Sequence, residues 1–354
     1  MFFRRSWSSK CGGAPAEISP DVGDAELVFT GDVYLEDPAW IDVPGTVVFN
    51  HEYVVSTPND IPETGRVNLL ARKQHAVGAF PQAAALHACL NNNHSLDFGS
   101  DVLARTVQEL EEAGVHCHLD PEDGAPAVHS QRDRRWALLA YNATGESGIA
   151  ALGRLTKRMN RDAAAVRERG ADRIVVALHF GEEHAPVHSE AQQVAARAAV
   201  DAGADLVIGH HPHCIQDVEV YRGKHIFYSL GNTWFQNHVT PSFFDDKGRP
   251  QRIFRARQTR WNSRALLVGF DLKDCGVRIW ETSCSGGRFR VLKETSAAEV
   301  NRSVSSPNSA VTWRWRRWWL LVKSNVFVDG HLIDFSVFSR SILEKLGFRR
   351  KLRD

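Results

Sequence analysis

The chain has 354 residues, 43% of them hydrophobic and 24% charged, so it is long and apolar enough to bury the core of one large domain. Its formal net charge of +1 argues against a protein that binds polyanions over its whole surface. The six cysteines are scattered without a C-x-x-C spacing, which argues against a disulfide framework or a zinc ribbon.

The first 24 residues are rich in serine, glycine and proline, and we predict that they form a loose lead-in. The arginines near the N-terminus are not followed by an apolar run of the length that a signal peptide needs. No stretch is long and apolar enough for a transmembrane helix. We therefore expect a cytoplasmic protein.

From Glu26 onward, short apolar runs alternate with helix-like segments. Buried strands are predicted at 26–30, 46–50, 135–143, 172–180, 205–209 and 224–232. Helices are predicted at 101–114 and at 189–203, and 80–92 is predicted as a helix that leads into a short strand. Strands that alternate with helices indicate βαβ units, and hence an α/β fold with a largely parallel sheet in the first 230 residues.

The later part of the chain has a different character. Residues 264–272 and 276–284 alternate like an antiparallel hairpin. The main domain is therefore predicted at 25–285, followed by a polar linker at 286–310. Residues 311–354 are predicted to be a separate C-terminal extension, rich in tryptophan and arginine.

Polar side chains follow five of the predicted strands, at the point where each apolar run ends. One of these ends, DLVIGHHPHC, places three histidines within four positions, and charged imidazoles so close together would repel. In open α/β sheets a ligand lies beyond the carboxyl ends of the strands. Carboxylate, amide and imidazole donors gathered there suit Mn, Fe or Zn. We therefore predict a centre for a divalent metal at these strand ends.

The chain resembles the CapA family of capsule- and poly-γ-glutamate-associated proteins, which is related to calcineurin-like metallophosphoesterases. The resemblance covers about residues 26–285 and rests on five sequence words: FTGDV (29–33), FNHE (49–52), NNNHSLDFG (91–99), VVALHFGEEH (175–184) and GADLVIGHHPHCIQDVEVYRGKHIFYSLGN (203–232).

This resemblance implies a four-layer αββα sandwich whose strand-end cleft holds one or two divalent metals. Glu52 stands where a bridging carboxylate is expected, and Asp32 where a ligand of the first metal is expected. Asn93 and His179 would bind the second metal. His211 and His213 form the His-x-His pair, which would give one imidazole to each metal. The implied ligand set is Asp32, Glu52, Asn93, His179, His211 and His213.

The resemblance also implies roles for residues around the metals. His94 stands at the position of a general acid near the leaving group, and Asp97 would orient it. His210, Glu183 and Asn232 are expected to support the ligands or to contact substrate. His51, next to Glu52, is not expected to be a ligand. Successive side chains of an extended strand point to opposite faces, so its imidazole would point away from the Glu52 carboxylate.

These features predict metal-assisted hydrolysis, in which metal ions bind an oxyanion and lower the pKa of a bound water. The first hypothesis is a phosphoesterase-like hydrolase that supports capsule, exopolysaccharide or poly-γ-glutamate formation. The alternatives are a non-catalytic accessory subunit of a polymer synthesis or export complex, and a metal-dependent amide hydrolase acting on an anionic polymer.

Two basic segments leave their partners open. Residues 249–264 carry six arginines in a predicted loop, which would either cover the cleft and favour an anionic small-molecule or polymer substrate, or lie in solvent. Residues 311–328 interleave tryptophan with arginine, which suits either a peripheral membrane contact or packing against the domain or another subunit. The sequence contains no recognised nucleic-acid-binding module, and we expect no nucleic-acid partner.

Overall fold

A computed structural model describes residues 22, 25–57, 59–60, 62, 68–120, 126–144, 148–236, 238–244, 250–256, 262–285 and 287–304. The predicted C-terminal extension at 311–354 lies outside these residues, as does nearly all of the predicted lead-in at 1–24. No helix in the described ranges has the length and apolarity to cross a membrane.

Helices are interspersed among the described strands as far as β10, and from there strands follow one another up to the last helix. The strands are β1 (Leu27–Tyr34), β2 (Gly45–His51), β3 (Val54–Val55), β4 (Leu70–Ala71), β5 (Ala83–Cys89), β6 (Val115–His118), β7 (Val128–Gln131), β8 (Arg134–Asn142), β9 (Arg173–His179), β10 (Leu206–His210), β11 (Val218–Tyr221), β12 (Lys224–Phe227), β13 (Asn232–Phe235), β14 (His238–Phe244), β15 (Pro250–Ala256), β16 (Arg264–Phe270), β17 (Val277–Ser285) and β18 (Arg288–Thr295). The helices are α1 (Ala76–Ala79), α2 (Ser100–Glu112), α3 (Ile149–Glu168), α4 (Glu190–Asp201) and α5 (Ala297–Val304).

Two mixed sheets form the body of the fold. The first has the order β18-β17-β16-β1-β2-β5-β6, with β13 also paired to β1. Its strands β1, β2, β5, β6 and β13 run parallel, and β16 to β18 are added antiparallel. The second sheet has the order β11-β12-β10-β9-β8-β7, with a parallel centre and antiparallel strands at both edges. The smaller pairs β3–β4 and β14–β15 complete the described strands.

The alternation of side chains along the strands explains how the sheets pack. Leu27 and Phe29 of β1 join one apolar cluster with Val175 of β9 and Leu206 of β10, so the two sheets face each other. Val28, between them, points the other way into a second cluster. That cluster includes Leu110, so helix α2 packs on the face of the first sheet that points away from the second sheet. Helices α3 and α4 pack in the same way on the second sheet. The molecule is a mixed α/β fold with several sheets.

Most sequence-predicted elements are confirmed, including the hairpin, whose strands are β16 and β17. Helix α4 also begins as predicted. The Ser189 hydroxyl accepts a hydrogen bond from the Gln192 backbone N–H, and the Gln192 side chain accepts one from the Ser189 N–H. This reciprocal capping satisfies two of the free N–H groups at the start of the helix.

Three predictions are wrong. Residues 80–92 contain the predicted strand, as β5, but not the helix predicted before it, because β5 pairs on both sides and tertiary contacts override the helix preference of its alanines. The predicted linker at 286–310 contains β18 and α5, and the Asn301 side chain bonds to the backbone of Val218 on the second sheet. The predicted basic loop at 249–264 contains strand β15, which pairs with β14. In addition, helix α3 was not predicted.

Candidate metal centre

The strand ends converge as the sequence pattern predicts. In the first sheet, Asp32 of β1 lies in register with Asn50 of β2 and with Asn232 of β13. In the second sheet, His179 of β9 lies in register with His210 of β10. Because these strands run parallel, their polar ends meet at one edge of each sheet. We call the group Asp32, Glu52, Asn93, His179, His211 and His213 the strand-end centre.

A close approach between two strands brings Asn232 to this edge. A Cβ atom at Gly31 would lie 1.9 Å from the carbonyl oxygen of Gly231, so only glycine fits there. The Asp32 N–H donates to the same carbonyl at 2.9 Å, and the Gly31 N–H donates to the Thr233 hydroxyl at 2.7 Å. Strand β13 is therefore held tightly against β1 beside the Asp32 carboxylate.

Glu52 lies at the middle of the strand-end centre and is fully buried. Its Oε1 atom lies 3.4 Å from His213 Nε2 and 3.6 Å from His179 Nε2, and it accepts no hydrogen bond from any described residue. Glu52 belongs to two sets of potential ligands. Within each set, the ligand atoms lie within 4.8 Å of one another. The sets are Asp32, Glu52 and His213, and Glu52, His179 and His211.

Two amide side chains, those of Asn93 and Asn50, lie among the carboxylates and imidazoles of the centre. Asn93 Oδ1 lies 2.7 Å from His179 Nε2, so the structure brings this predicted pair together. The Asn50 amide donates to Asp32 Oδ1 at 2.9 Å and to Glu52 Oε2 at 3.2 Å. The strand-end pattern does not single out Asn50 as a site residue, although Asn50 lies two positions before Glu52 and so on the same face of an extended chain.

Two of the three residues predicted to support the ligands, His210 and Asn232, contact predicted ligands. His210 Nδ1 lies 3.1 Å from Asp32 Oδ1. His213 Nδ1 lies 2.9 Å from Asn232 Oδ1, which leaves Nε2 directed toward Glu52. Such contacts fix the orientation of an imidazole ligand and choose its tautomer. Glu183 is exposed and forms a further possible donor set with His211 and His213.

The predicted acid pair is also formed. His94 Nδ1 lies 2.8 Å from Asp97 Oδ2, and both residues are buried. The same carboxylate oxygen accepts a hydrogen bond from the Leu69 N–H at 2.6 Å. Asp97 is thus fixed from two sides and holds the His94 ring in one orientation. His51 instead stacks on Tyr53 and belongs to none of the donor sets.

Charges within the centre are strongly coupled. Burial raises the pKa of Glu52 well above its usual value. Burial also works against the charged form of Asp32, but hydrogen bonds from His210 and His213 bring its pKa well below the usual value. Burial alone would lower the pKa of His213, yet the carboxylates of Glu52 and Asp32 raise it to about 10. The carboxylates of Glu52 and Asp32 therefore favour a positive charge, a proton or a cation, in the space between them.

The other two imidazoles behave in the opposite way. Burial, with His211 nearby, lowers the pKa of His179 well below the usual value. Burial, with His213 nearby, lowers the pKa of His211 to about 4. Both rings are therefore neutral at pH 7, and a neutral imidazole has the lone pair that a metal ligand needs.

The loop that carries the histidine pair has an unusual backbone. His211 has φ 95° and His213 has φ 55°, in the left-handed region that residues other than glycine seldom adopt. Each such residue costs roughly 1–3 kcal/mol and is concentrated at functional sites. The loop thus holds both imidazoles toward Glu52 at an energetic cost.

The donors present fit a divalent cation. A fully buried Glu52 oxygen has no hydrogen bond from the described residues, and His211 Nδ1 likewise has no such partner there. Oxygen and imidazole donors without thiolate suit Mn, Fe or Zn, as the sequence predicts. The geometry is therefore compatible with a divalent metal and leaves its identity open.

Comparison with known proteins identifies the family. Residues 39–237, more than half of the chain, match the family model described as bacterial capsule synthesis protein PGA_cap. The chain is 32% identical over 208 residues to the capsule biosynthesis protein CapA of Bacillus anthracis, covering 54% of this chain and 50% of that protein.

Two further relatives match over shorter stretches. The PGA biosynthesis protein CapA of Bacillus subtilis is 32% identical over 160 residues, or 42% of each chain. A probable polyglutamine synthesis accessory protein of Mycobacterium tuberculosis is 31% identical over 168 residues, covering 41% of this chain and 44% of that protein. The chain spans about half, or less, of the length of these relatives. Together with the family-model match, these similarities show that the chain belongs to the CapA, or PGA_cap, family of bacterial capsule synthesis proteins.

Proposed function

We propose that this protein is a metal-dependent, phosphoesterase-like hydrolase that supports the formation of capsule, exopolysaccharide or poly-γ-glutamate. The observation that carries the proposal is the shared carboxylate of Glu52, which lies between two sets of potential metal ligands. Two metals that share a carboxylate can hold the attacking and the leaving oxygen of one displacement. The biological setting is inferred from the names of the relatives.

Each predicted ligand has a place in this proposal. Asp32 and His213 would hold one metal and Asn93, His179 and His211 the other, with Glu52 between them. The bound metals would supply Lewis acidity and a water of lowered pKa. Asn50, His210 and Asn232 orient the ligands through the contacts described above.

The His94–Asp97 pair supplies the proton for the leaving group in this proposal. With Nδ1 facing the Asp97 carboxylate, His94 has its Nε2 atom left to face a substrate. A positioned imidazole can donate a proton to a departing oxygen. An anionic substrate is the proposed partner, because cations bound in the centre would attract it.

The test is hydrolysis by the full chain after chelation and after addition of Mn²⁺ or Zn²⁺. We expect chelation to abolish cleavage of bis(p-nitrophenyl) phosphate or p-nitrophenyl phosphate and metal to restore it. His211→Ala should lose the activity. His225→Ala is the matched control, since His225 pairs with Leu206 at the opposite end of β10. Wild-type turnover by His211→Ala would overturn the assignment of the site.

A second candidate is a non-catalytic accessory subunit, which the name of the mycobacterial relative favours. It predicts a protein that binds metal but cleaves neither phosphoesters nor a γ-glutamyl anilide. Cleavage of the anilide alone would instead support the amide hydrolase, because a metal-bound water can also attack a carbonyl carbon.

For the architecture, we propose the four-layer αββα sandwich, with helices outside two facing sheets. The apolar cluster shared by both sheets and the helices packed on their other faces support it. The domain then runs from residue 25 beyond residue 285, because β18 and α5 continue it to residue 304.

A further inference from the structure

A second group of histidines lies away from the strand-end centre, where the edges of the two sheets meet. His87 is on β5, His116 and His118 are on β6, and His129 is on β7. Strand β6 is the last strand of the first sheet, and β7 is the last strand of the second. We call these four residues the edge histidine cluster. None of them belongs to the sequence words that carry the family resemblance.

The strand pattern points these imidazoles into the space between the sheets. His87 is in register with His116, and His118 lies two positions farther along the same face of β6. From the opposite sheet, His129 is in register with Trp136. The Trp136 ring lies 4.9 Å from the ring of His87 and 5.2 Å from that of His129, between centroids. Trp136 thus closes the inner side of the cluster.

Three of the imidazoles have the spacing of a ligand set. His87 Nδ1 lies 3.0 Å from His118 Nε2, and the His129 ring lies 4.7 Å from the ring of His87 and 5.2 Å from that of His118. One nitrogen from each of the three lies within 4.8 Å of the others. Nitrogens bound to zinc at about 2.0–2.1 Å with tetrahedral angles are roughly 3.4 Å apart. Small side-chain rotations therefore suffice to close the set around one ion.

One nitrogen of the cluster is left without a hydrogen-bond partner by the described part of the protein. His129 Nε2 is buried and has no hydrogen-bond partner among the described residues. Burial, with other imidazoles nearby, lowers the pKa of His118 to about 3 and that of His129 to about 4. It lowers the pKa of His87 as well. The three rings are neutral at pH 7, so each has one ring nitrogen whose lone pair a metal could take.

We propose that His87, His118 and His129 form a second metal site, which takes Zn²⁺ or a similar borderline divalent ion and clamps the edges of the two sheets together. Imidazole-only donors suit Zn, Ni or Cu and disfavour Mg²⁺ or Ca²⁺, which require oxygen. Three protein ligands leave a fourth position, and the exposed His116 lies beside it, with its ring 4.6 Å from that of His87. The proposal is independent of the hydrolase activity.

The test counts zinc in the full chain after the strand-end centre has been disabled by Glu52→Gln and His211→Ala together. After chelation and equilibrium dialysis against Zn²⁺, elemental analysis should find one zinc per chain. Adding His129→Gln or His118→Gln should remove that zinc, whereas adding His225→Gln should not. The proposal is overturned if the background binds no zinc, or if both cluster variants retain it.

A second readout covers the case in which the combined variants fail to fold. In the otherwise wild-type chain, Zn²⁺ should raise the unfolding temperature of His225→Gln as much as that of the wild type. The rise should be smaller in His129→Gln, which changes only one half-buried residue of an edge strand. Mg²⁺ should give no such difference between the two variants. An equal zinc-induced rise in both variants would contradict the second site.

Discussion

The strand-end centre and the edge histidine cluster both gather imidazoles between the same two sheets, but they differ in the charge that they can hold. The strand-end centre contains two buried carboxylates, and these raise the pKa of His213 to about 10. The edge histidine cluster is all imidazole, and the pKa of His118 there falls to about 3. A buried carboxylate is stabilised by a proton or a nearby cation, whereas buried imidazoles without a carboxylate nearby remain neutral. The first region is thus suited to reactive metals and the second to a structural ion.

The largest effect is expected from the shared carboxylate. Glu52→Gln keeps the size of the side chain but removes its charge from both sets of ligands. Loss of a residue that merely orients a ligand costs about 10- to 100-fold in metal affinity. We therefore expect a loss of more than about 100-fold at the strand-end centre, measured by metal titration calorimetry. Unchanged affinity would show that Glu52 does not join two metals.

The contact between β1 and β13 should be nearly as sensitive. Gly31→Ala would place a methyl group 1.9 Å from the backbone oxygen of Gly231, and a backbone atom has little freedom to move away. We expect the free energy of unfolding to fall by roughly 3 kcal/mol, at the upper end of what overpacking costs. Chemical denaturation would measure it. Gly148→Ala is a suitable comparison, since its added methyl group would meet no atom within 4 Å. Equal stability of the two variants would contradict the described packing.

Removal of a supporting contact should have an intermediate effect. Asn232→Ala deletes the amide oxygen that lies 2.9 Å from His213 Nδ1 and leaves every predicted ligand in place. Metal affinity should fall by about 10- to 100-fold, which is less than for Glu52→Gln. Binding by the edge histidine cluster should be unaffected. A loss as large as that of Glu52→Gln would mean that Asn232 is itself a ligand.

At neutral pH the smallest effect is expected from the protonation of His118, which appears in the pH dependence of the unfolding free energy measured with a chelator present. Because burial lowers the pKa of His118 from 6.5 to about 3, the folded chain leaves this residue neutral where the unfolded chain protonates it. Its contribution to stability is full above about pH 6.5 and is lost as the pH falls toward 3. His118→Gln should make the unfolding free energy depend less steeply on pH across that range. The decrease in slope should correspond to the uptake of close to one proton on unfolding. Parallel curves for the two proteins would show that His118 is not kept neutral by the fold.

The sequence predicts the strand-end centre better than it predicts the edge histidine cluster, and the reason is physical. The predicted ligands of the strand-end centre lie at the ends of five apolar runs, with His211 and His213 after the same run, so local periodicity and the rule that parallel strands end together suffice to group them. The edge histidine cluster depends on which edge strands of two different sheets meet. Local patterns around His118 and His129 carry no information on that contact.

The errors in the secondary structure have a related cause. The alanines of β5 favour a helix locally, but β5 lies between β2 and β6, and the pairing on both sides decides its conformation. Residues 288–295 look polar enough for a linker, yet β18 is an edge strand with mostly exposed side chains. An edge strand needs few apolar residues, so its sequence resembles that of a loop.

Anomalous X-ray diffraction from crystals grown with Mn²⁺ or Zn²⁺ tests the central claim most directly. We expect anomalous peaks on both sides of the Glu52 carboxylate, at about 2.0–2.2 Å from its oxygens, with one peak near His213 and the other near His179 and His211. Well-ordered crystals with strong peaks elsewhere and none beside Glu52 would contradict the account.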